Sequence, residues 1–525
     1  HTCWQWTALD MAIMSIGALT VPVYETNSPA QVEMIFNDSQ VRMAFAENDA
    51  QRDKIESVRE HCPDLGDVYV IDRGAIETLR EYGRGVSDAE FYERERAVGG
   101  DDLATIVYTS GSTGVPKGIE LTHGSFVFIT YSGVQSMPDI AMKPNRRLLL
   151  FLPLAHVFAR YMQFFCFAGN VTLGLSSNLK TILADFSAFK PTFILAVPRI
   201  FEKIYNAASQ KAGRGLKGRI FADAAVVARE WSKAQQSGDG IPAALNIKHA
   251  VYNKLVYSTI MGVFGGSVEY AVSGGAPLDV SIAHFFNGVG LPLLEGYGMT
   301  ETCAPSSVNP TVGYKIGTIG LPLEGVTMGI DENGELCIKS PAVCKGYHNN
   351  PEITEQQIVD GWLHTGDLGS IDDEGFVTLT GRKKDLIITA GGKNVSPGAM
   401  EASVMTSPVV GQCVVVGDRK PFIAAIITLD LGETNLWLTS QGAEPMPDLQ
   451  TAARNPIVRA EVERAVNVAN ELVSRAESIR KFEIVPDEFT EANGLMTPSM
   501  KARRQAVTEH YRELIDTVIY APAKR

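Results

Sequence analysis

The chain is short of several things, and each shortage removes a class of protein. Its 525 residues carry no excess of positive charge, since 47 Lys plus Arg stand against 60 Asp plus Glu for a net of −13. That balance argues against a protein that coats nucleic acid, and no nucleic-acid partner is expected. No CxxC pair occurs among the seven cysteines, Cys3, Cys62, Cys166, Cys303, Cys337, Cys344 and Cys413. A reducing, cytoplasmic setting with incidental thiols is therefore expected rather than a disulfide framework or a zinc site. No apolar run is long enough to span the ~30 Å of a bilayer core. The most apolar stretch, residues 148–159, is interrupted by Pro153 and His156. There is no internal repeat, no low-complexity tract and no basic n-region ahead of the apolar residues 11–24. The chain opens on His1 rather than Met, and an upstream segment is expected.

What is present is ordinary globular material, 45% hydrophobic and 20% charged, enough for about three folding units at roughly 150 residues each. Residues 8–24 read as an amphipathic helix turning at Gly17 into a short strand, and Ser28-Pro29 starts the next helix. Residues 68–72 read as a buried strand. Residues 80–102, charged and Gly-containing, read as a surface connection. Leu103–Tyr108 is a strand that empties into a Gly/Ser/Thr loop. Between Arg199 and Gly262 the pattern is helical and locally basic, with Lys203, Lys211, Arg214, Lys217 and Arg219 close together. Strand patterns return at 269–273 and 290–297. The expected class is mixed, multidomain α/β. A large N-terminal domain spans 1–382, with a small β-rich subdomain at about 313–381, and a smaller, mobile α+β C-terminal domain spans 383–525.

Three segments carry chemistry. The first, 108–118, strings glycines and hydroxyls (Thr109, Ser110, Gly111, Ser112, Thr113, Gly114) to Lys117 after a strand. Such a loop can turn backbone N–H groups and hydroxyls toward a polyphosphate while the lysine adds a point charge. It does not fit a Walker A loop, so a P-loop NTPase is disfavoured. The second is 295–302. Tyr297 offers a ring to a purine, Gly296 and Gly298 allow close approach of the backbone, Thr300 can donate to a phosphate, and Glu301 is a hard-oxygen ligand for Mg²⁺. A simple tight turn is the bland alternative. The third holds Asp367, read as lying in a turn between strands, and Arg382, a carboxylate and a guanidinium suited to a ribose and its phosphate. A turn-forming Asx is the alternative there.

Taken in this order, and with the segments 151–158, 273–278 and 495–504, the chain resembles the adenylate-forming superfamily of acyl-CoA synthetases, luciferase and adenylation domains. The resemblance covers essentially the whole chain. The Ser273–Leu278 segment, the helical insert at about 200–262 and Met500 before the terminal lysine resemble the long-chain fatty acyl-CoA synthetases. It implies a two-step reaction, in which a long-chain fatty acid attacks ATP to give acyl-adenylate and pyrophosphate, and coenzyme A then displaces AMP. It further implies that Thr109, Ser110, Gly111, Ser112, Thr113, Gly114 and Lys117 hold phosphate. Gly275, Ala276, Glu295, Gly296 and Tyr297 would surround adenine, Thr300 would hold the α-phosphate, and Glu301 with Thr109 would hold Mg²⁺. Asp367 and Arg382 would bind ribose, Lys384 would sit at the hinge, Gly391 and Gly392 would admit the pantetheine arm, and Lys501 would catalyse adenylation. His156 reads equally as a channel gate or as a satisfied histidine in an apolar turn. The basic cluster from Lys203 to Arg219 reads either as a contact with anionic lipid at the inner face of the membrane or as a solvated helix face. Two rival functions remain at this level: a ligase that passes the acyl-adenylate to a carrier protein, and a catalytically silent lipid-binding homologue. Chain-length preference and oligomeric state are not legible.

Overall fold

Runs such as Leu148–Leu150 and Phe193–Ala196 are apolar at every position, which a strand tolerates only when both of its faces are covered. The computed structural model, which describes residues 1–110, 116–178, 181–213, 215–497 and 501–521, is a mixed α/β protein built around such strands. Five parallel strands lie side by side in the order Leu293–Met299, Tyr270–Ser273, Phe193–Ala196, Arg146–Leu150 and Val171–Leu175. Two antiparallel strands, Ala304–Val308 and Leu321–Pro322, extend the sheet beyond Leu293–Met299. Successive side chains alternate between two cores. Leu148, Leu150, Phe193, Leu195 and Leu294 pack with Phe126, Ile129 and Phe165 on one side. Leu149, Ile194, Ala196 and Leu293 pack with Phe201, Phe221, Phe285 and Phe286 on the other.

Two further sheets flank this core. The strands Leu103–Ser110 and Pro116–Thr122 form an antiparallel hairpin with Thr109 opposite Lys117. Gly346-Tyr347 adds to the hairpin's outer edge. A five-stranded sheet is made by Thr327–Ile330, Glu335–Lys339, Trp362–Ile371, Ile358–Val359 and Val377–Arg382. Beyond it, Val410–Val416, Ile423–Leu429 and Ile479–Val485 form a three-stranded sheet with its own buried core. The helix Pro198–Ala212 joins this last portion to the body of the protein. From it Arg199 donates to the carbonyls of Met405 at 2.8 Å and Val410 at 2.9 Å, and Asn206 donates to the carbonyl of Thr406 at 3.2 Å.

Local expectations fare unevenly. Ser28 caps the helix Pro29–Asp38 through a capping box with Gln31, as its hydroxyl allows. The first helix starts earlier than its pattern indicated, at Trp4, and ends at Ser15. No strand follows Gly17 there, because only Thr20 makes a bridge, to Thr105. The stretch 80–102 is at the surface but is not a plain connection. Ser87 accepts the Glu90 amide at 3.2 Å, Glu90 pairs with Arg94 at 3.0 Å, and a helix runs Asp88–Ala97. Cap and i,i+4 charge pair outweighed the missing apolar face. All seven cysteines are unpaired, and among the described residues no helix is long and apolar enough to cross a membrane.

One ion pair is wholly inside. Arg160, on the helix Val157–Ala168, reaches both carboxylate oxygens of Asp10 at 2.8 and 2.5 Å and donates to the Thr105 hydroxyl at 2.7 Å. Neither partner exposes more than 1% of its side chain. The pair ties the first helix to the hairpin and to the main sheet. Removing one member leaves an uncompensated buried charge, so Arg160→Ala or Asp10→Ala is expected to cost about 3–5 kcal/mol in a urea titration. The double variant should cost clearly less than the sum of the two.

Candidate active site

In open α/β sheets the carboxyl ends of the parallel strands offer a crevice for ligands. Here that edge gathers segments that are distant in sequence. Strand Arg146–Leu150 leads to His156, strand Tyr270–Ser273 to Gly275 and Ala276, and strand Leu293–Met299 to Thr300 and Glu301. They line one cavity of about 2920 Å³, together with Thr109, Lys117, Glu295, Gly296, Tyr297, Asp367, Arg382, Lys384 and Lys501. A drug-sized pocket is roughly 300–1000 Å³, so this space suits several ligands at once.

The centre of the cavity is a buried carboxylate. Asp367 accepts the Tyr297 hydroxyl at 2.5 Å and the Arg382 Nε at 2.7 Å, while its own amide donates to the Thr365 hydroxyl at 3.0 Å. The expected turn at Asp367 is not there. It lies within the long strand Trp362–Ile371, directly across from Arg382 on Val377–Arg382. The preceding Gly366 has φ of +73°, and the pairing shifts register between Leu368 and Gly369. A bulge rather than a turn aims the carboxylate. Burial, helped by the neighbouring Asp367, drives the Tyr297 hydroxyl far above its ordinary pKa, so it remains a donor.

Lys501 stands beside this cluster. Its backbone is fixed by Thr497, whose amide donates to the Lys501 carbonyl at 2.8 Å and whose hydroxyl accepts the Lys501 amide at 3.1 Å. The residue lines the cavity. Enclosure, and then Arg382, lower its pKa to about 8, with Asp367 opposing. His156 caps the helix Val157–Ala168, its Nδ1 accepting the Phe158 amide at 3.2 Å. Burial, and then Lys501, hold its pKa down to about 4, so the ring is neutral and carries its proton on Nε2. A cap and a cavity wall are thus the same side chain.

Glu301 is half-buried, and burial raises its carboxyl. It accepts the Tyr347 hydroxyl at 2.9 Å, and no cation pairs with it directly among the described residues. Lys117 is lowered by burial and then by Lys384, while Glu301 acts in the opposite sense. Glu301 belongs to the turn Thr300–Thr302, which leads into two non-glycine residues with positive φ, Cys303 at +56° and Ala304 at +96°. Such backbone is costly and is retained where the surroundings over-determine it. Gly298 serves the same turn, since a Cβ there would lie 1.9 Å from the Ala304 carbonyl oxygen. Its missing side chain therefore answers to strand packing rather than to a ligand.

Several expected residues stand elsewhere. Gly111, Ser112, Thr113 and Gly114 lie outside the described residues, as does the side chain of Ser110. Gly391 and Gly392 occupy an exposed turn between Ile387–Ile388 and Asn394–Val395 and do not line the cavity. Sequence reasoning missed Tyr347, which satisfies Glu301 from 46 residues away. It also missed Glu335, which accepts the Gly366 amide at 2.7 Å and the Lys383 ammonium at 3.1 Å beside the bulge. Neither carries a local signal.

Comparison with known proteins fits this geometry. Residues 1–348 match the family profile described as AMP-binding enzyme, and residues 384–523 match that of the AMP-binding enzyme C-terminal domain. The chain belongs to the AMP-binding enzyme family. Within the family it is 42% identical over 520 residues to the long-chain-fatty-acid–CoA ligases FadD15 of Mycobacterium bovis and Mycobacterium tuberculosis, covering 98% of this chain and 86% of each relative. The A domain of carboxylic acid reductase from Segniliparus rugosus, solved with AMP and a co-purified carboxylic acid, shares the fold at a TM-score of 0.69 and 22% identity. That match covers 99% of this chain and 81% of the other.

Glu295 gives the site a pH signature. Burial pushes its carboxyl up to about 8, against one weak donor, the Leu278 amide at 3.3 Å. Unfolded, the same group titrates near 4.3, so folding is penalised progressively as pH rises from about 4.3 to 8. Glu295→Gln is therefore expected to gain stability over the parent at pH 8 relative to pH 5, by at least the ~1.4 kcal/mol of one pKa unit. Denaturant midpoints of both proteins at the two pH values measure it.

Proposed function

We propose that this member of the AMP-binding enzyme family is a long-chain fatty-acid–CoA ligase that uses ATP and Mg²⁺ and passes through an acyl-adenylate. The observation that carries the reading is the meeting of Lys501, Arg382, Asp367, Tyr297 and Glu301 in one cavity, in a chain 42% identical to FadD15 over 98% of its length. Part of the cavity lining is apolar, including Ile204, Ala208, Phe221, Val256, Ile260 and Val263, a lining that suits an alkyl chain.

The chemistry brings a carboxylate against a triphosphate, so the barrier is mainly electrostatic. In this reading the Gly275–Ala276 backbone and the Tyr297 ring flank adenine, while the protonated Glu295 stays neutral beneath it. Asp367 accepts from the ribose hydroxyls, and Arg382, anchored by Asp367, faces the same sugar. Thr300 donates to the α-phosphate, and Lys117 belongs with residues 109–114 at the outer phosphates. Lys501 places its positive charge where negative charge accumulates as the fatty carboxylate attacks phosphorus and pyrophosphate leaves. The chemistry of the donors fits a hard cation, because Glu301 is a half-buried carboxylate without a direct ion pair among the described residues and Thr109 lines the same space. Mg²⁺ held there supplies further neutralisation of phosphate charge.

The second half-reaction needs coenzyme A thiol to reach the acyl carbon. With Gly391 and Gly392 outside the cavity, the arrangement suits adenylation. The division at 382/383, with Lys384 as pivot, is part of the same reading: the C-terminal portion turns so that its glycine loop replaces Lys501. A long-chain acid resides largely in bilayers, so the reading includes contact with a membrane surface.

Pyrophosphate release from ATP, Mg²⁺ and palmitate, followed by palmitoyl-CoA when coenzyme A is added, tests the proposal. Pyrophosphate without thioester would point to a ligase that stops at the adenylate, and neither product would point to a silent homologue. Lys501→Ala is expected to slow adenylation by about 10²–10³-fold while thioester formation from supplied palmitoyl-adenylate stays near the parent rate. Because the catalytic charge exists only below the lysine's pKa, kcat/KM for adenylation should fall as pH rises through about 8. A profile flat to pH 10 would remove Lys501 from the role.

A further inference from the structure

One face of the five-stranded sheet gathers three side chains that the proposed reaction does not use. Cys337, on Glu335–Lys339, stands directly opposite His364, on Trp362–Ile371, and residues directly opposite in an antiparallel pair share a face. On its other side Cys337 is paired with Gly329, which has no side chain to fill the space. Asp331 follows two residues later, where the chain turns back toward Glu335 with the Asp331 amide donating to the Glu335 carbonyl at 2.9 Å. The carboxylate of Asp331, the sulfur of Cys337 and a ring nitrogen of His364 all lie within 4.8 Å of one another.

Their spacing is that of ligands rather than of a hydrogen-bonded cluster. Cys337 Sγ is 3.5 Å from His364 Nδ1 and 3.8 Å from the Glu335 carbonyl, both long for a hydrogen bond. A zinc ion bound at about 2.3 Å to sulfur and 2.0–2.1 Å to nitrogen, at the tetrahedral angle, sets those two atoms about 3.5 Å apart. Asp331 is already oriented, since its Oδ1 accepts the Asn333 and Glu335 amides, each at 2.8 Å, while its Oδ2 is 3.5 Å from the Asn333 side-chain amide. Such anchoring is what holds a ligating carboxylate in place. Cys337 is buried, and Asp331 and His364 are half-buried, which leaves an entry path and a position for water. Glu335 Oε2 is 3.7 Å from His364 Nδ1 but is committed to Lys383 at 3.1 Å. The lack of a CxxC pair argues against a cysteine-rich zinc site, not against one assembled across strands from three residue types.

We infer that Asp331, Cys337 and His364 bind one divalent cation of the zinc type, with water as the fourth ligand. The donor set chooses the metal, because thiolate and imidazole suit Zn²⁺ while Mg²⁺ takes oxygen. Burial, and then Glu335 and Asp331, raise the Cys337 thiol to about 11, so coordination exchanges its proton for the metal and the proton leaves to solvent. A bound ion ties three segments of the sheet together beside the bulge that aims Asp367. His364 precedes Asp367 by three residues on one strand, and Glu335, which accepts the Gly366 amide at 2.7 Å, precedes Cys337 by two on the other. The inference does not depend on the ligase reading.

The test uses the full chain, stripped with EDTA and then kept in excess Mg²⁺ without ATP, so that it reads this site whether or not ligase activity is found. Zn²⁺ is expected to bind at one equivalent per chain and to raise the thermal midpoint. Co²⁺ in its place should give a thiolate-to-cobalt charge-transfer band and the strong visible absorption of a tetrahedral ion. Cys337→Ser should abolish the charge-transfer band, and Asp331→Asn and His364→Gln should each weaken Zn²⁺ binding by about tenfold or more. Cys337→Ser changes little in volume, and Asp331→Asn keeps an oxygen for the two amides, so thermal midpoints near the parent's in EDTA are expected of both. If Cys337→Ser does not fold, the Zn²⁺ titration of Asp331→Asn decides. A parent that takes up no Zn²⁺, a band that survives Cys337→Ser, variants that bind like the parent, or one ion shared between two chains would each overturn the inference.

Discussion

The arrangement of this protein hangs on the carboxylate of Asp367. A buried anion is tolerable only when donors surround it, and here the donors come from different parts of the chain. Tyr297 arrives from the central parallel sheet and Arg382 from the strand that leads out toward the C-terminal portion, while Asp367 itself belongs to the five-stranded sheet. Satisfying one charge therefore fixes the relative position of two sheets and of the segment that follows them. Lys501 reaches the same spot from the far end of the chain and feels both Arg382 and Asp367.

The site is also a gradient of protonation. At neutral pH the enclosed Glu295 carries a proton, and His156 is uncharged. Lys501, lowered to about 8, still holds most of its charge. The polar wall thus sets neutral groups, Glu295 and His156, alongside the cations Lys501 and Arg382. Water is displaced from such a wall at small electrostatic cost until a polyanion enters, and the interaction is then strong because the surroundings are poorly polarisable.

Much of this was legible in the sequence, and the reasons differ by element. Two of the five parallel strands were read from their patterns, at 269–273 and 290–297, whereas Arg146–Leu150, Val171–Leu175 and Phe193–Ala196 were not, because a short apolar run buried on both faces has no alternation to mark it as a strand. Glycine, hydroxyl and lysine clusters are visible because their chemistry is local. Asp367 was located but its setting was misread, since a bulge made by Gly366 looks like a turn when the partner strand is unknown. The helix Asp88–Ala97 was missed because a surface helix held by a cap and ion pairs shows no apolar stripe. Tyr347 and Glu335 were invisible for a plainer reason: their roles exist only once strands distant in sequence are paired, Glu335 with Leu368 and Tyr347 with Ile119.

The latch made by Arg199 has an evolutionary corollary. Its two acceptors in the C-terminal portion, at Met405 and Val410, are main-chain carbonyls, while on its own helix it donates to Glu202. Any amino acid at those two positions, or at Thr406, would present the same oxygen, so this grip between the body and the C-terminal portion is insensitive to drift on one side and concentrated in the Arg199 guanidinium and the Asn206 amide on the other. Were the two portions to part, such carbonyls would release the guanidinium without leaving a carboxylate stranded, and Arg199 would keep its pairing with Glu202 on its own helix.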